Sequence, residues 1–311
     1  MRILIIGGTY FLGKAFLESV DLNHEENQVT LINRGNRKAP NNEDGHVRVL
    51  FADRHSAKSL RKLAEELARE EIDVCVDFCA YERGDLQKVT DVLPAGVKQY
   101  VFVSTCDVYE RGTGKRLDEA SKFETRDFGG EAGAYILGKV ALEKELLECA
   151  AKKGMHYTVI RPALIYGPGN YAPREGIYFQ WMSKAGQILV PEDADGWFQF
   201  VYVKDAARMI RSCLLNENAY DEAFNLCGEP KTYQDLAGAL EKVQPGLQRI
   251  GVTSELVTEK GIPLPFPMAK AESETYANDK ALAFARNQGI EFTTLEDGLK
   301  ESYADFLSQG E

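Results

Sequence analysis

Apolar positions come in short, nearly continuous runs through the first two thirds of the chain: RILII (2–6), QVTLI (28–32), VRVLF (47–51), IDVCVDF (72–78), QYVFVS (99–104) and YTVI (157–160). Runs of this length and β-branched content read as strands buried on both faces, the mark of parallel pairing under helices. Between them the spacing is helical. In SAKSLRKLAEELARE (56–70), Leu60, Leu63, Ala64, Leu67 and Ala68 form one stripe that would face a sheet. The alternation predicts an α/β fold with a doubly wound parallel sheet. After Arg161-Pro162 the rhythm changes: YGPGNYAPREG is rich in Gly and Pro, and PLPFP (263–267) cannot be helical. FQFVYVKDAARMIRSCLL (198–215) again reads as strand then helix, as does EAFNLCG (222–228) followed by TYQDLAGALEKV. The expected division is residues 1–166, with 198–227 returning to that unit, and a smaller C-terminal lobe of 167–197 and 228–311.

The first strand runs directly into GGTYFLG and a helical pattern, LGKAFLESV. Gly7 and Gly13 stand where the outer glycines of Gly-x-x-Gly-x-x-Gly would stand, and Tyr10 takes the place of the middle one. A strand, a tight glycine turn and a helix N-terminus aim free amides at a pyrophosphate, which makes the sheet Rossmann-type. Gly7, Thr9, Tyr10, Phe11, Leu12 and Gly13 are the candidate contacts, against the alternative of a tight turn with no ligand. At the end of the second strand a carboxylate would hold the 2′-hydroxyl of NAD, but the chain reads Asn33-Arg34-Gly35. With Arg34, Arg37 and Lys38 close by, NADP is favoured over NAD, and NAD stays open. The alternative for Arg37 and Lys38 is a solvated basic loop. Asp53, in LFADR, is a candidate acceptor for the adenine amino group or a cap for the next turn.

In GAYILGKVALEKELLE (133–148), Tyr135 and Lys139 are four apart on a helical stretch and share a face. A nearby ammonium lowers a phenol's pKa, so the tyrosine can exchange protons near neutral pH. Ser104-Thr105-Cys106-Asp107-Val108-Tyr109 ends the fifth strand, where open parallel sheets bind ligands. Together GGTYFLG, STCDVY, YILGKVALEKEL, RPALIYGPGN, FVYVKDAAR and the closing NDKALAFARNQGIEFTTLEDGL resemble the extended short-chain dehydrogenase/reductase family, its NAD-dependent epimerase/dehydratase group, over nearly the whole chain. The loop without a middle glycine resembles an atypical subgroup that includes sugar dehydratases and chloroplast stem-loop RNA-binding proteins. The resemblance implies hydride transfer at a hydroxyl or carbonyl carbon of a sugar-like small molecule. In it Tyr135 would be the acid/base, Thr105 would hydrogen-bond the reacting oxygen and Lys139 would bind the cofactor ribose. Asp107 would move a second proton, or it simply bonds nearby backbone. Ala80 and Pro162 complete the candidate cofactor contacts. The lobe after residue 166 would bind substrate, and the helix carrying Tyr135 would pair in a homodimer.

Two diphosphate-gripping arginines of nucleotide-sugar epimerases fall on Phe198 and Ala283, which counts against a nucleotide-sugar substrate. Asn170, Arg174, Arg208 and Arg286 are the remaining polar candidates, and the stretch 110–134 is a candidate closing loop. Lys plus Arg total 37 against 48 for Asp plus Glu, a net charge of −11 that repels a phosphate backbone. That charge counts against nucleic acid as a partner. Six scattered cysteines without a Cys-x-x-Cys, and four isolated histidines, indicate no metal. No apolar run reaches the ~18 residues of a membrane span, and a cytoplasmic location is expected. The rival expectation is a non-catalytic NAD(P)-binding or RNA-associated relative.

Overall fold

A computed structural model of the chain describes residues 1–22, 24, 27–36 and 46–309. Arg37 and Lys38 lie outside the described residues. The strands are β1 (Arg2–Ile6), β2 (Gln28–Asn33), β3 (Val47–Phe51), β4 (Val74–Asp77), β5 (Gln99–Val103), β6 (Arg116–Leu117), β7 (His156–Pro162), β8 (Leu164–Tyr166), β9 (Gln187–Pro191), β10 (Phe200–Tyr202), β11 (Glu222–Leu226), β12 (Gln248–Val252) and β13 (Thr275–Tyr276). The helices are α1 (Phe11–Ser19), α2 (Ala57–Leu67), α3 (Asp85–Val92), α4 (Gly130–Lys153), α5 (Glu175–Ala185), α6 (Val203–Cys213), α7 (Tyr233–Val243), α8 (Ser254–Lys260), α9 (Asp279–Asn287) and α10 (Leu295–Ser308).

A seven-stranded parallel sheet in the order β11-β7-β5-β4-β1-β2-β3 organises the molecule. This is the doubly wound, Rossmann-type α/β fold expected of the apolar runs. Alternation along β1 shows why. Ile3 and Ile5 enter one core with Phe16 of α1 and Met209 and Ile210 of α6, whereas Leu4 and Ile6 enter the opposite core with Leu63 of α2, Leu86 of α3 and Leu142 of α4. Both faces of the strand are apolar because helices cover both.

Outside that sheet, β8 pairs with β10, β9 with β12, and β6 with β13, each in parallel. Helix α10 packs on α5 and α7, and Phe198, Phe200, Tyr233 and Phe266 form one aromatic cluster there. The chain re-enters the large sheet at β11, on its edge beside β7.

Elements differ from the sequence pattern where a tertiary partner extends them. Strand β7 runs past YTVI because β5 and β11 pair with it on both sides. Helix α4 begins at Gly130, after Gly129 and Gly130 at φ of 71° and 66°, and stops at Gly154, φ 65°. The expected loop 110–134 is thereby shortened, and its Arg116 and Leu117 are tied to β13.

The tightest approach positions the site. Gly7 sits at φ +88°, and a Cβ on Gly13 would lie 2.2 Å from the Gly7 carbonyl oxygen. Helix α1 can therefore pack on the end of β1 only through a glycine. Gly13→Ala is expected to lose about 1–3 kcal/mol in urea unfolding; wild-type stability in that variant would show that the turn opens without cost.

Candidate active site

A cleft of about 930 Å³ opens at the C-terminal ends of β1, β2, β4 and β5, where an open parallel sheet reverses strand order. Asn33, Arg34 and Asp53 line one part of it, Gly7 to Gly13 the middle, and Thr105, Asp107, Tyr135, Lys139 and Pro162 the other. Of the residues expected to contact the cofactor or react, Ala80 does not line it: it is fully buried, and its carbonyl instead accepts a hydrogen bond from Lys139 Nζ at 2.9 Å.

The glycine turn fits a dinucleotide diphosphate. Tyr10, at the N-cap of α1, makes no side-chain cap, and no acidic residue stands in the first turn, so the helix end favours an anion. Phe11 holds the left-handed conformation at φ 39°, costly for a residue with a side chain. The Tyr10 ring does not turn into solvent; it stacks on Tyr171, centroids 4.7 Å apart and planes 27° apart. Asn33 Oδ1 accepts from Gly35 N at 2.8 Å, whereas its buried Nδ2 has no partner among the described residues. Asp53 Oδ1 accepts from His55 N at 2.9 Å, so this carboxylate both caps a turn and borders the cleft.

Thr105 ends β5 as the cap of a single 3-10 turn. Its hydroxyl accepts from Asp107 N and donates to Asp107 Oδ2, each at 3.2 Å. Asp107 Oδ1 accepts from Arg111 at 3.3 Å and from the Tyr276 hydroxyl at 3.4 Å. Tyr135 comes from the first half of α4, one helical turn before Lys139. Lys139 Nζ donates to Val103 O at 2.8 Å as well as to Ala80 O, and the rings of Phe102, Tyr81 and Tyr135 surround it at 4.8, 5.0 and 5.8 Å.

This arrangement reverses one electrostatic expectation. Burial, and then the Asp107 carboxylate, push the Tyr135 phenol above its ordinary value, while a hydrogen bond with Thr105 pulls the other way. Burial also lowers Lys139, to about 8. The reason is desolvation: the lysine spends its charge on the last carbonyl of β5 and one in the loop after β4 rather than on the phenol.

Several residues of the site were not legible beforehand. Arg54, directly after Asp53, turns inward and makes two hydrogen bonds to Asp77 at 2.9 and 3.0 Å; Asp77 also accepts from Tyr100 at 2.8 Å. Glu143 of α4 takes Arg161 at 2.6 and 3.0 Å and Ser104 at 2.6 Å, and Arg161 donates to Tyr109 at 2.6 Å. A charge next to a strand end was the available signal for both arginines.

The polar candidates of the second lobe sort differently from one another. Asn170 holds Glu175 at 2.8 and 2.9 Å while also lining the cleft, whereas Arg208 pairs with Asp205 and the Glu291 carbonyl away from it. Phe198 is buried among aromatics, and Ala283 and Arg286 lie exposed on α9. Arg174 does line the cleft. Among the described residues, no group of His, Cys, Asp and Glu could hold a metal, and no helix is long and apolar enough to cross a membrane.

The fold and cleft define a dinucleotide-binding Rossmann-type protein. The profile of the NAD dependent epimerase/dehydratase family matches residues 3–227, and the chain belongs to that family. It is 33% identical over 250 residues to the chloroplast stem-loop binding protein of 41 kDa b of Arabidopsis thaliana, covering 78% of this chain and 62% of that one. The chain thus spans about three fifths of that relative's length. It is 23% identical over 269 residues to a UDP-N-acetyl-alpha-D-glucosaminuronate decarboxylase of Bacillus cytotoxicus, covering 80% and 82%. The UDP-glucuronic acid 4-epimerase of Bacillus cereus, solved with UDP-glucuronic acid and NAD, shares the fold at a TM-score of 0.73 and 17% identity, over 99% of this chain and 100% of that one.

The lowered Lys139 makes stability depend on pH. Its folded value near 8 lies below the ordinary 10.5, so the cost of burying the ammonium is present below about pH 8 and is relieved as pH rises toward 10.5. Relative to Lys139→Met, the wild-type chain is expected to gain up to about 3 kcal/mol between pH 7 and 10 in chemical denaturation; a difference independent of pH would refute the buried-ammonium account.

Proposed function

We propose that the protein is an NAD(P)-dependent enzyme acting on a hydroxyl or carbonyl carbon of a sugar-like substrate, by oxidoreduction, epimerisation or dehydration. The observation that carries this reading is that Thr105 and Tyr135, with Lys139 one turn along the helix, border the same cleft as the glycine turn. The nicotinamide would supply, when bound, a reversible acceptor for a hydride, a proton with two electrons, from substrate carbon. Tyr135 exchanges a proton with the substrate oxygen, and Thr105 donates a hydrogen bond to that oxygen and orients it. With its phenol pushed up, Tyr135 rests protonated: it donates in the reductive direction and must first lose its proton in the oxidative one. Lys139 ties α4 to the ends of β4 and β5 and would reach the cofactor ribose. Asp107, held by Arg111 and Tyr276, moves the second proton where the net reaction is dehydration, from substrate carbon to the hydroxyl that leaves as water.

In this reading residues 1–166 with 198–227 hold the cofactor, and the remainder binds substrate. A homodimer through α4, where Leu147 is 48% exposed, belongs to the same proposal. The aromatic surroundings of Phe198 favour a sugar-like compound without a nucleoside diphosphate. The absence of a carboxylate at Asn33, its Nδ2 without a partner among the described residues and the neighbouring Arg34 favour NADP.

Two variants test the reading. Tyr135→Phe should lower turnover by at least about 100-fold, read as reduced-nicotinamide absorbance with a panel of sugars, sugar phosphates and nucleotide sugars, while leaving NADPH affinity intact; retained turnover would end the assignment. Asn33→Asp should weaken NADPH by about tenfold or more relative to NADH in fluorescence titration. Equal loss of both cofactors would remove the NADP preference.

A second reading takes its support from the stem-loop binding relative: a cofactor-binding protein that acts on RNA. The net charge of −11 opposes it. Failure to retain structured RNA on a filter at low salt would remove it.

A further inference from the structure

The turn Gly7–Gly13 contains no cation, yet a dinucleotide brings two phosphates to it. Of the lysine and arginine side chains that line the cleft, Arg54 is committed to Asp77 and Lys139 to two carbonyls, and Arg34 stands beside Asn33 at the far part of the cleft. Arg174 remains. Among the described residues its guanidinium makes no hydrogen bond or ion pair, and it borders the cleft together with Tyr10, Phe11 and Tyr171.

The segment that carries it is anchored at both ends, and Arg174 itself is the N-cap residue of α5. Gly167 sits at φ +136° against Val203, where a Cβ would meet Cγ1 at 2.5 Å. Buried Glu175 accepts from Gly167 N at 3.2 Å and from Asn170, and Gly169 N donates to Asp305 of α10 at 2.9 Å. Beyond those anchors, Tyr171 is 65% exposed, and its ring contacts are with Tyr10, stacked, and Phe11, edge-on at 6.0 Å. A second-lobe residue thus closes on the phosphate turn at the position where a middle glycine would leave open space.

We propose that the loop Gly167–Arg174 is a clamp on the diphosphate of the cofactor, with Tyr171 closing on Tyr10 and Arg174 supplying the cation that the phosphate turn lacks. The clamp rests on the NAD(P)-dependent reading above. It makes Tyr10 a latch: substitution of the middle glycine by a tyrosine gives the second lobe a ring to stack on, and the dinucleotide cannot leave until that stack opens. Stacked aromatic pairs and charge-assisted hydrogen bonds to phosphate are the interactions involved.

The test is cofactor release from the 311-residue chain, followed by stopped-flow chase of bound NADPH and NADH. Tyr171→Ala and Arg174→Gln should each speed release by about tenfold or more, and Tyr171→Phe should stay near wild type. ADP-ribose, which carries the diphosphate, should lose affinity in Arg174→Gln as the full cofactor does, and AMP should not. Unchanged release in both Tyr171→Ala and Arg174→Gln, with wild type binding normally, overturns the clamp. So does unchanged release with lost turnover, which would assign Arg174 to a phosphate of the substrate. If the wild-type chain binds neither dinucleotide, the functional reading beneath the clamp fails instead, and the two failures are told apart by that control.

Discussion

The buried pair of Glu143 and Arg161 is the interaction on which the rest of the candidate site depends. Glu143 stands one turn beyond Lys139 on α4, and Arg161 lies near the end of β7. Their three hydrogen bonds fix the rotation of the helix about its axis, and with it the direction of Tyr135 and Lys139. From the same pair the bonding continues to Ser104 at the end of β5, and through Tyr109 to Asn225 of β11 at 2.5 Å. Three strands and one helix are thereby referred to a single charge pair. Removing one partner of such a pair strands the other in a medium that solvates it poorly, a cost of about 3–5 kcal/mol.

That rigidity explains how a lysine can sit desolvated in the site. Lys139 loses hydration on burial, and two carbonyls and three rings compensate in part, which is why its pKa falls only to about 8. The tyrosine beside it feels burial and the Asp107 carboxylate more than it feels the ammonium. The site is therefore organised around geometry: a hydroxyl from a strand end, a phenol from a helix and a carboxylate held between Arg111 and Tyr276 of the second lobe.

The second lobe departs from a diphosphate-gripping surface in a consistent direction. Aromatic rings fill the neighbourhood of Phe198, Arg208 is turned to Asp205, and Asn170 is turned to Glu175. Cationic character is left at Arg174, on the loop that reaches across to Tyr10.

What the sequence determined by itself was the wound sheet and the order of its strands' functional ends. Continuous apolar runs, the glycine turn and the spacing of Tyr135 and Lys139 are local patterns, and the seven-stranded sheet, the cleft at its strand ends and the shared face on α4 follow from them. The limits of β7 and α4 were less legible, because pairing on both edges and glycines at positive φ decide them. Only the tertiary structure decided which charges are spent and which remain. Arg54, Arg161 and Arg208 read alike as isolated basic residues; their partners Asp77, Glu143 and the Glu291 carbonyl lie 23, 18 and 83 residues away along the chain. The stack of Tyr171 on Tyr10 is of the same kind, since no local pattern records that two loops 161 residues apart meet. Periodicity encodes what a residue does to its own element, but hydrogen bonds and desolvation are settled between elements, after the chain has closed on itself.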